Sequence, residues 1–128
     1  MEAVTATFEN WAGTPSGGIL TIVGPDQTVV RLVGEVDLSM AGEFAQLVRS
    51  LPSATAELVL DVSALTFCDA SLAGFLAVML GQIPVTVTGP NRWVLEFLAL
   101  VGLADQVRIV EDAIHAGAGM PTLVAMPG

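Results

Sequence analysis

Three side chains of the types used in nucleophilic catalysis can be picked out of this sequence: Ser71, His115 and Asp69. In a Ser-His-Asp arrangement the histidine takes the hydroxyl proton while the carboxylate orients the imidazole. Nothing in the spacing brings His115 to the other two. It falls near a Gly- and Pro-bearing tail and reads as a surface histidine. One His and one Cys cannot supply the common metal-ligand sets. No phosphate-cradling glycine-rich motif occurs, and the chain contains no lysine for a P-loop. The expectation is a protein with no catalytic residues, no metal and no cofactor. The lone Cys68 cannot form an intramolecular disulfide, which suits a reducing compartment, and it reads as a small buried hydrophobe rather than a redox sensor.

Charge narrows the partners. Thirteen acidic residues stand against four arginines, for a net charge of −9. The arginines, Arg31, Arg49, Arg92 and Arg108, are spread singly, whereas a phosphate backbone is held by clustered cations. Nucleic acid and anionic membrane surfaces are therefore excluded as partners, and a protein with a basic surface would be steered in. The longest strictly apolar run, Leu72 to Leu80, is well short of the about 20 residues a membrane span needs, so no membrane insertion is expected. The N-terminal residues show no basic-then-apolar signal pattern, and a cytoplasmic location follows as the expectation.

A chain of 128 residues suits one domain. Turn formers from Ala12 to Gly18 separate an N-terminal extension, residues 1–17, from a body over 18–115, and a loose tail comes last over 116–128. Ile19–Val23 and Thr28–Val33 read as a hairpin joined by Gly24–Gln27, with Gly34 ending its second strand. Ser39 is a candidate N-cap for a helix over Met40–Arg49, which Pro52 stops. Glu57–Val62 reads as a buried strand and Ser63–Asp69 as a loop. A helix over Ala70–Leu80, a strand over Pro84–Thr88, a helix over Asn91–Val101 and a strand over Gln106–Val110 complete the body, with a short helix near Glu111–His115. Strands alternating with helices predict an α/β fold with a largely parallel sheet and an antiparallel edge.

The segment with the most to say is LTFCDASLAGFLAVMLG, Leu65 to Gly81. With a helix from Ala70, the side chains of Leu72, Phe75, Leu76, Met79 and Leu80 share one face. The opposite face is Ala70, Ala73, Gly74, Ala77 and Gly81, where a surface helix normally carries charge. Small residues let another backbone come close, so this flank is expected to dock a protein partner or a second copy of the same chain. The alternative, that the domain covers both sides of this helix itself, ranks second. Asp69 or Ser71 at the helix start is explained as a cap, and the same place would suit a phosphoserine.

Three segments, taken together and in order, resemble the STAS domains and among them the free-standing anti-sigma factor antagonists. They are Gly34-Glu35-Val36-Asp37; LVLDVSALTFCDAS from Leu58 to Ser71; and GPNRWVLEFLALVGLADQVRIVED from Gly89 to Asp112. The resemblance implies a single STAS-like domain with a four- or five-stranded mixed β-sheet and about four helices. It implies a non-catalytic role: binding an anti-sigma factor, often a serine kinase, through the loop and helix start at residues 69–81. In the family the phosphorylated serine comes directly after the Asp. Carried over, the Asp is Asp69 and the acceptor position is Ala70, which cannot take phosphate, while the next hydroxyl is kept as Ser71 and the Gly after it is Leu72. Either Ser71 is the acceptor, or binding escapes phosphorylation control, or the partner itself has changed, and loss of the usual switch is favoured. The resemblance places Asp37 beside the site, although a carboxylate at a strand end equally serves to cap the next helix; with the small-residue flank read from the helical spacing, the expected partner surface is Asp37, Asp69, Ala70, Ser71, Ala73, Gly74 and Ala77. Residues 70–83 are few for this family's second helix, so it is expected to be about two turns short. The rival role is a cytosolic STAS subunit of a lipid or anion transport system, docking through the same surface.

Overall fold

Residues that alternate between β-branched and polar make strands because successive side chains point to opposite faces of a sheet. The computed structural model describes residues 8–13 and 16–111. They form β1 (Phe8–Gly13), β2 (Gly17–Val23), β3 (Gln27–Val36), a 3-10 turn (Leu38–Met40), α1 (Ala41–Ser50), β4 (Glu57–Cys68), α2 (Ala70–Leu80), β5 (Val85–Thr88), α3 (Arg92–Leu100) and β6 (Arg108–Val110).

All six strands lie in one sheet in their sequence order. β1, β2 and β3 are antiparallel neighbours, and β3 to β6 are parallel. Each parallel step is a crossover of fixed hand, so strands added always on the same side send all three helices to the same face. There Val30, Leu32, Leu58, Leu60 and Val87 meet Phe44 of α1, Leu76 and Met79 of α2, and Val94 and Leu98 of α3 in one core. The intervening residues point to the other face, where Ile22, Val29 and Val59 cluster and Arg31 Nε lies 3.9 Å from Asp61. Burial on both faces is why β3 and β4 read as nearly unbroken apolar runs.

The class is the expected one, and the differences have local causes. The sheet has six strands rather than four or five because Phe8–Gly13, within the segment read as an extension, pairs along β2 from Phe8↔Val23 to Gly13↔Gly18. Three α-helices and a 3-10 turn stand where about four helices are expected, and Glu111–His115 lies mostly outside the described residues. β3 does not stop at Gly34, and Ser63–Cys68 is not a loop. After one register shift Val33 and Gly34 pair with Ala64 and Leu65, and after a second Glu35 and Val36 pair with Phe67 and Cys68. Among the described residues no helix is long and apolar enough to cross a membrane.

Candidate functional site

The extra length of β3 and β4 is what assembles the site. The parallel pair ends with Val36 opposite Cys68, so the next residues, Asp37 and Asp69, leave the sheet side by side at the carboxyl ends of adjacent strands. Both have extended backbone, and each caps a helical segment, Asp37 the 3-10 turn and Asp69 α2. The Asp37 carboxylate accepts from the Ser39 N–H at 3.0 Å and from the Ser39 hydroxyl at 2.6 Å, which starts the 3-10 turn. Ser39 is thus a donor to the cap and not the cap itself; α1 begins after Met40, with no side-chain cap. Asp69 Oδ1 accepts from the Ser71 N–H at 2.9 Å, starting α2, while its Oδ2 accepts from the Leu38 N–H at 3.1 Å. One carboxylate therefore ties the turn before α1 to the first turn of α2.

Partial burial pulls the Asp69 carboxyl upward, but hydrogen bonds from the Ser71 N–H and hydroxyl and from the Leu38 N–H outweigh it and hold the group below its ordinary value of 3.8. A folded-state value below the unfolded one adds stability that is present above about pH 4 and lost as pH falls through the folded value. Asp69→Asn keeps a capping oxygen but has no charge to titrate. It is expected to flatten the acid limb of stability against pH in urea titrations, whereas an unchanged limb would show that this carboxylate contributes nothing.

The helices α1 and α2 form the walls of a groove. The inward stripe of α2, namely Leu72, Phe75, Leu76 and Met79, is buried, and the Phe75 ring stacks on Phe44 of α1 with centroids 4.7 Å apart. Above that stack lies a groove of about 260 Å³ walled by Leu38, Ala41, Ala45 and Val48 on one side and Ser71, Gly74 and Val78 on the other. None of its lining residues is charged. Leu38 is 73% exposed and Val78 51%.

Of the small residues singled out in α2, Ala70, Gly74, Ala77 and Gly81 are exposed, while Ala73 is half-buried and packs against the core. A methyl group built on Gly74 would meet no atom of the described residues within 4 Å beyond the surrounding backbone of its own helix. The described part of the chain, therefore, does not cover this flank. Of the α2 wall the sequence singled out Ser71 and Gly74 but not Val78, while Ala70, Ala73 and Ala77 do not line the groove; the α1 wall was missed, although Ala41, Ala45 and Val48 at i, i+4 and i+7 carried the signal.

Cys68 is buried at the end of β4. Burial, with the Asp69 charge adding to it, pushes its thiol up to about 11. The thiolate is the reactive form, so alkylation by iodoacetamide near neutral pH is expected to run at least about tenfold slower on the native protein than on the urea-unfolded chain. Equal rates would contradict the burial. Trp93 and Phe97 pack partly buried against the core. His115 lies outside the described residues, and Asp69 is committed to its caps. Among the described residues no three His, Cys, Asp or Glu side chains stand close enough to hold a metal ion.

A family model described as "Mlab, STAS domain" matches residues 22–111. Among curated proteins none matches. Among solved structures, the chain is similar to the anti-sigma factor antagonist SpoIIAA in its unphosphorylated form, with a TM-score of 0.57 at 13% identity, covering 93% of this chain and 100% of that one. It is similar to an anti-sigma factor antagonist from Mycobacterium paratuberculosis, with a TM-score of 0.58 at 16% identity over 94% of this chain and 99% of that one. The phosphorylated form of SpoIIAA, a cell fate determinant of Bacillus, aligns with a TM-score of 0.52 at 12% identity over 88% of this chain and 99% of that one. At these identities the likeness is one of fold.

Proposed function

The chain belongs to the STAS domain family, and from that membership we propose that it is a non-catalytic protein-binding regulator of the anti-sigma factor antagonist kind. Its partner is an anti-sigma factor or a related serine kinase, held on the groove between α1 and α2 and on the capped strand ends at Asp37 and Asp69. The observation that carries the reading is the uncharged groove itself. In a molecule with a net charge of −9 the described residues put no charge into one concave, solvent-facing strip, and depletion of charged residues is what marks the core of a protein interface.

The acceptor position is Ala70, exposed at the first position of α2. The neighbouring Ser71 is held by its N–H on the Asp69 carboxylate, and a phosphate there would stand beside a like charge. Both points support binding without the phosphorylation switch. Incubation with the cognate kinase and ATP is expected to leave the chain unmodified by intact mass; phosphate on Ser71 would restore the switch, and phosphate elsewhere would break the positional mapping.

A second reading, a STAS subunit docked on a component of a lipid or anion transport system, is supported by the same missing hydroxyl, which leaves the docking surface without the usual switch. Affinity purification of the tagged chain from its host separates the two. Recovery of an anti-sigma factor or kinase sustains the first reading. Recovery of transporter components, or of neither, sinks it.

A further inference from the structure

We propose that a second cleft, on the other flank of α1, is a binding site for a single-chain aliphatic amine. The flank of α1 turned away from α2 presents Glu43, Gln46, Leu47 and Ser50 at i, i+3, i+4 and i+7, facing the outer strands β1 and β2. Between helix and strands lies a cleft of about 400 Å³ with Ile19, Val23, Leu47 and Leu51 among its walls. That volume is at the low end of the about 300–1,000 Å³ of small-molecule pockets, which suits one alkyl chain and not two.

The polar groups of the cleft select the head group. The Thr28 hydroxyl is already paired with Thr55 at 2.9 Å and the Ser50 hydroxyl donates to the Leu47 carbonyl at 3.4 Å; Thr21 is buried in the wall, and Glu43, exposed at the rim, is the charged side chain of the lining. No arginine lines the cleft among the described residues. Arg31 sits beside Asp61 and Arg92 beside Glu96, and Arg49 donates to Gln46 at 3.0 Å from the exposed side of the helix. A carboxylate or phosphate head would meet the Glu43 carboxylate with no cation lining the cleft, whereas an ammonium would be both attracted and hydrogen-bonded.

The test is a titration of the full chain with decylamine, decanoate and ethylamine, read by amide chemical shifts. Decylamine is expected to bind saturably below about 1 mM, a range reached by small apolar ligands, with shifts confined to Ile19, Val23, Leu47 and their neighbours. Decanoate is expected to bind at least tenfold more weakly. Glu43→Gln, at an exposed position, should weaken decylamine by about three- to fivefold, the range of an exposed ion pair, and narrow its lead over decanoate. Ala12→Phe fills the cleft and should abolish binding; should it unfold the chain, the decanoate comparison and Glu43→Gln decide alone. Equal shifts with ethylamine, equal binding of decanoate, or cleft amides that move with protein concentration because a second copy sits there would each overturn the proposal.

Discussion

Gly74→Glu is expected to leave the fold at least as stable as the parent while weakening partner binding by about two orders of magnitude. Gly74 lies in the middle of α2, and among the described residues nothing beyond the surrounding backbone of its own helix approaches within 4 Å of where its side chain would begin. Glycine in a helix interior costs up to about 1 kcal/mol relative to alanine, and glutamate recovers part of that. The new carboxylate would stand in the groove between Leu38 and Val78, which holds no charge in the parent. An unpaired charge forced into an apolar interface costs about 2–5 kcal/mol of affinity. Gly74→Ala serves as the control, gaining helix stability without the charge. Calorimetric titration with the partner recovered from the host reads the first effect and urea unfolding the second. Unchanged affinity for Gly74→Glu would place the partner elsewhere; a lost fold would mean that this flank is covered after all.

Gly34→Ala is expected to destabilise the domain by about 2–5 kcal/mol, the largest effect of any single methyl group we foresee. Gly34 has a φ of +70°, in the left-handed region, which alone costs a residue with a side chain roughly 1–2 kcal/mol. The added carbon would stand 2.2 Å from the Ser16 carbonyl oxygen and 3.0 Å from the Gly17 Cα. Both are backbone atoms at the start of a paired strand, so neither can swing aside, and overpacking of this kind adds about 1–3 kcal/mol. The strand relaxing outward would also stretch the Glu35 N–H to Ser16 carbonyl bond of 3.0 Å and move the end of β3 that leads into Asp37. A lower urea midpoint with faster exchange of the Leu38 amide is the expected pair of results. An unaltered midpoint would show that the two backbones are not in close contact there.

That glycine also explains where the sequence was readable and where it was not. The limits of α2, Ala70 to Leu80, follow from an apolar stripe with a clear start and stop, and the structure has the same limits. The β2 and β3 hairpin was equally plain, because β-branched runs flank a turn closed by the Gly24 N–H on the Gln27 carbonyl. Gly34, however, looks like a strand terminator, yet in the fold it is the place where a strand passes close to its neighbour. The alternation beyond it is short, and Ser63, Thr66 and Phe67 of β4 are exposed. Phe67 pairs with Glu35, while Ser63 and Thr66 fall at the two register shifts of a ladder formed with residues about thirty positions earlier, which no local pattern records. The site was legible in part for the same reason. Asp69 and the α2 flank lie within one segment, while Leu38, Ala41 and Ala45 join them only through tertiary packing.

The order of the sheet has a consequence for how the chain is made. Because each strand lies next to its immediate predecessor, a growing polypeptide emerging N-terminus first adds every new strand to an open margin, and no strand has to be threaded between two that are already joined. The margin advances from β1 to β6 as synthesis proceeds, and the helices settle behind it on one side. Both walls of the groove between α1 and α2 precede β5 in the chain, so they can meet before β5 and β6 have joined the sheet.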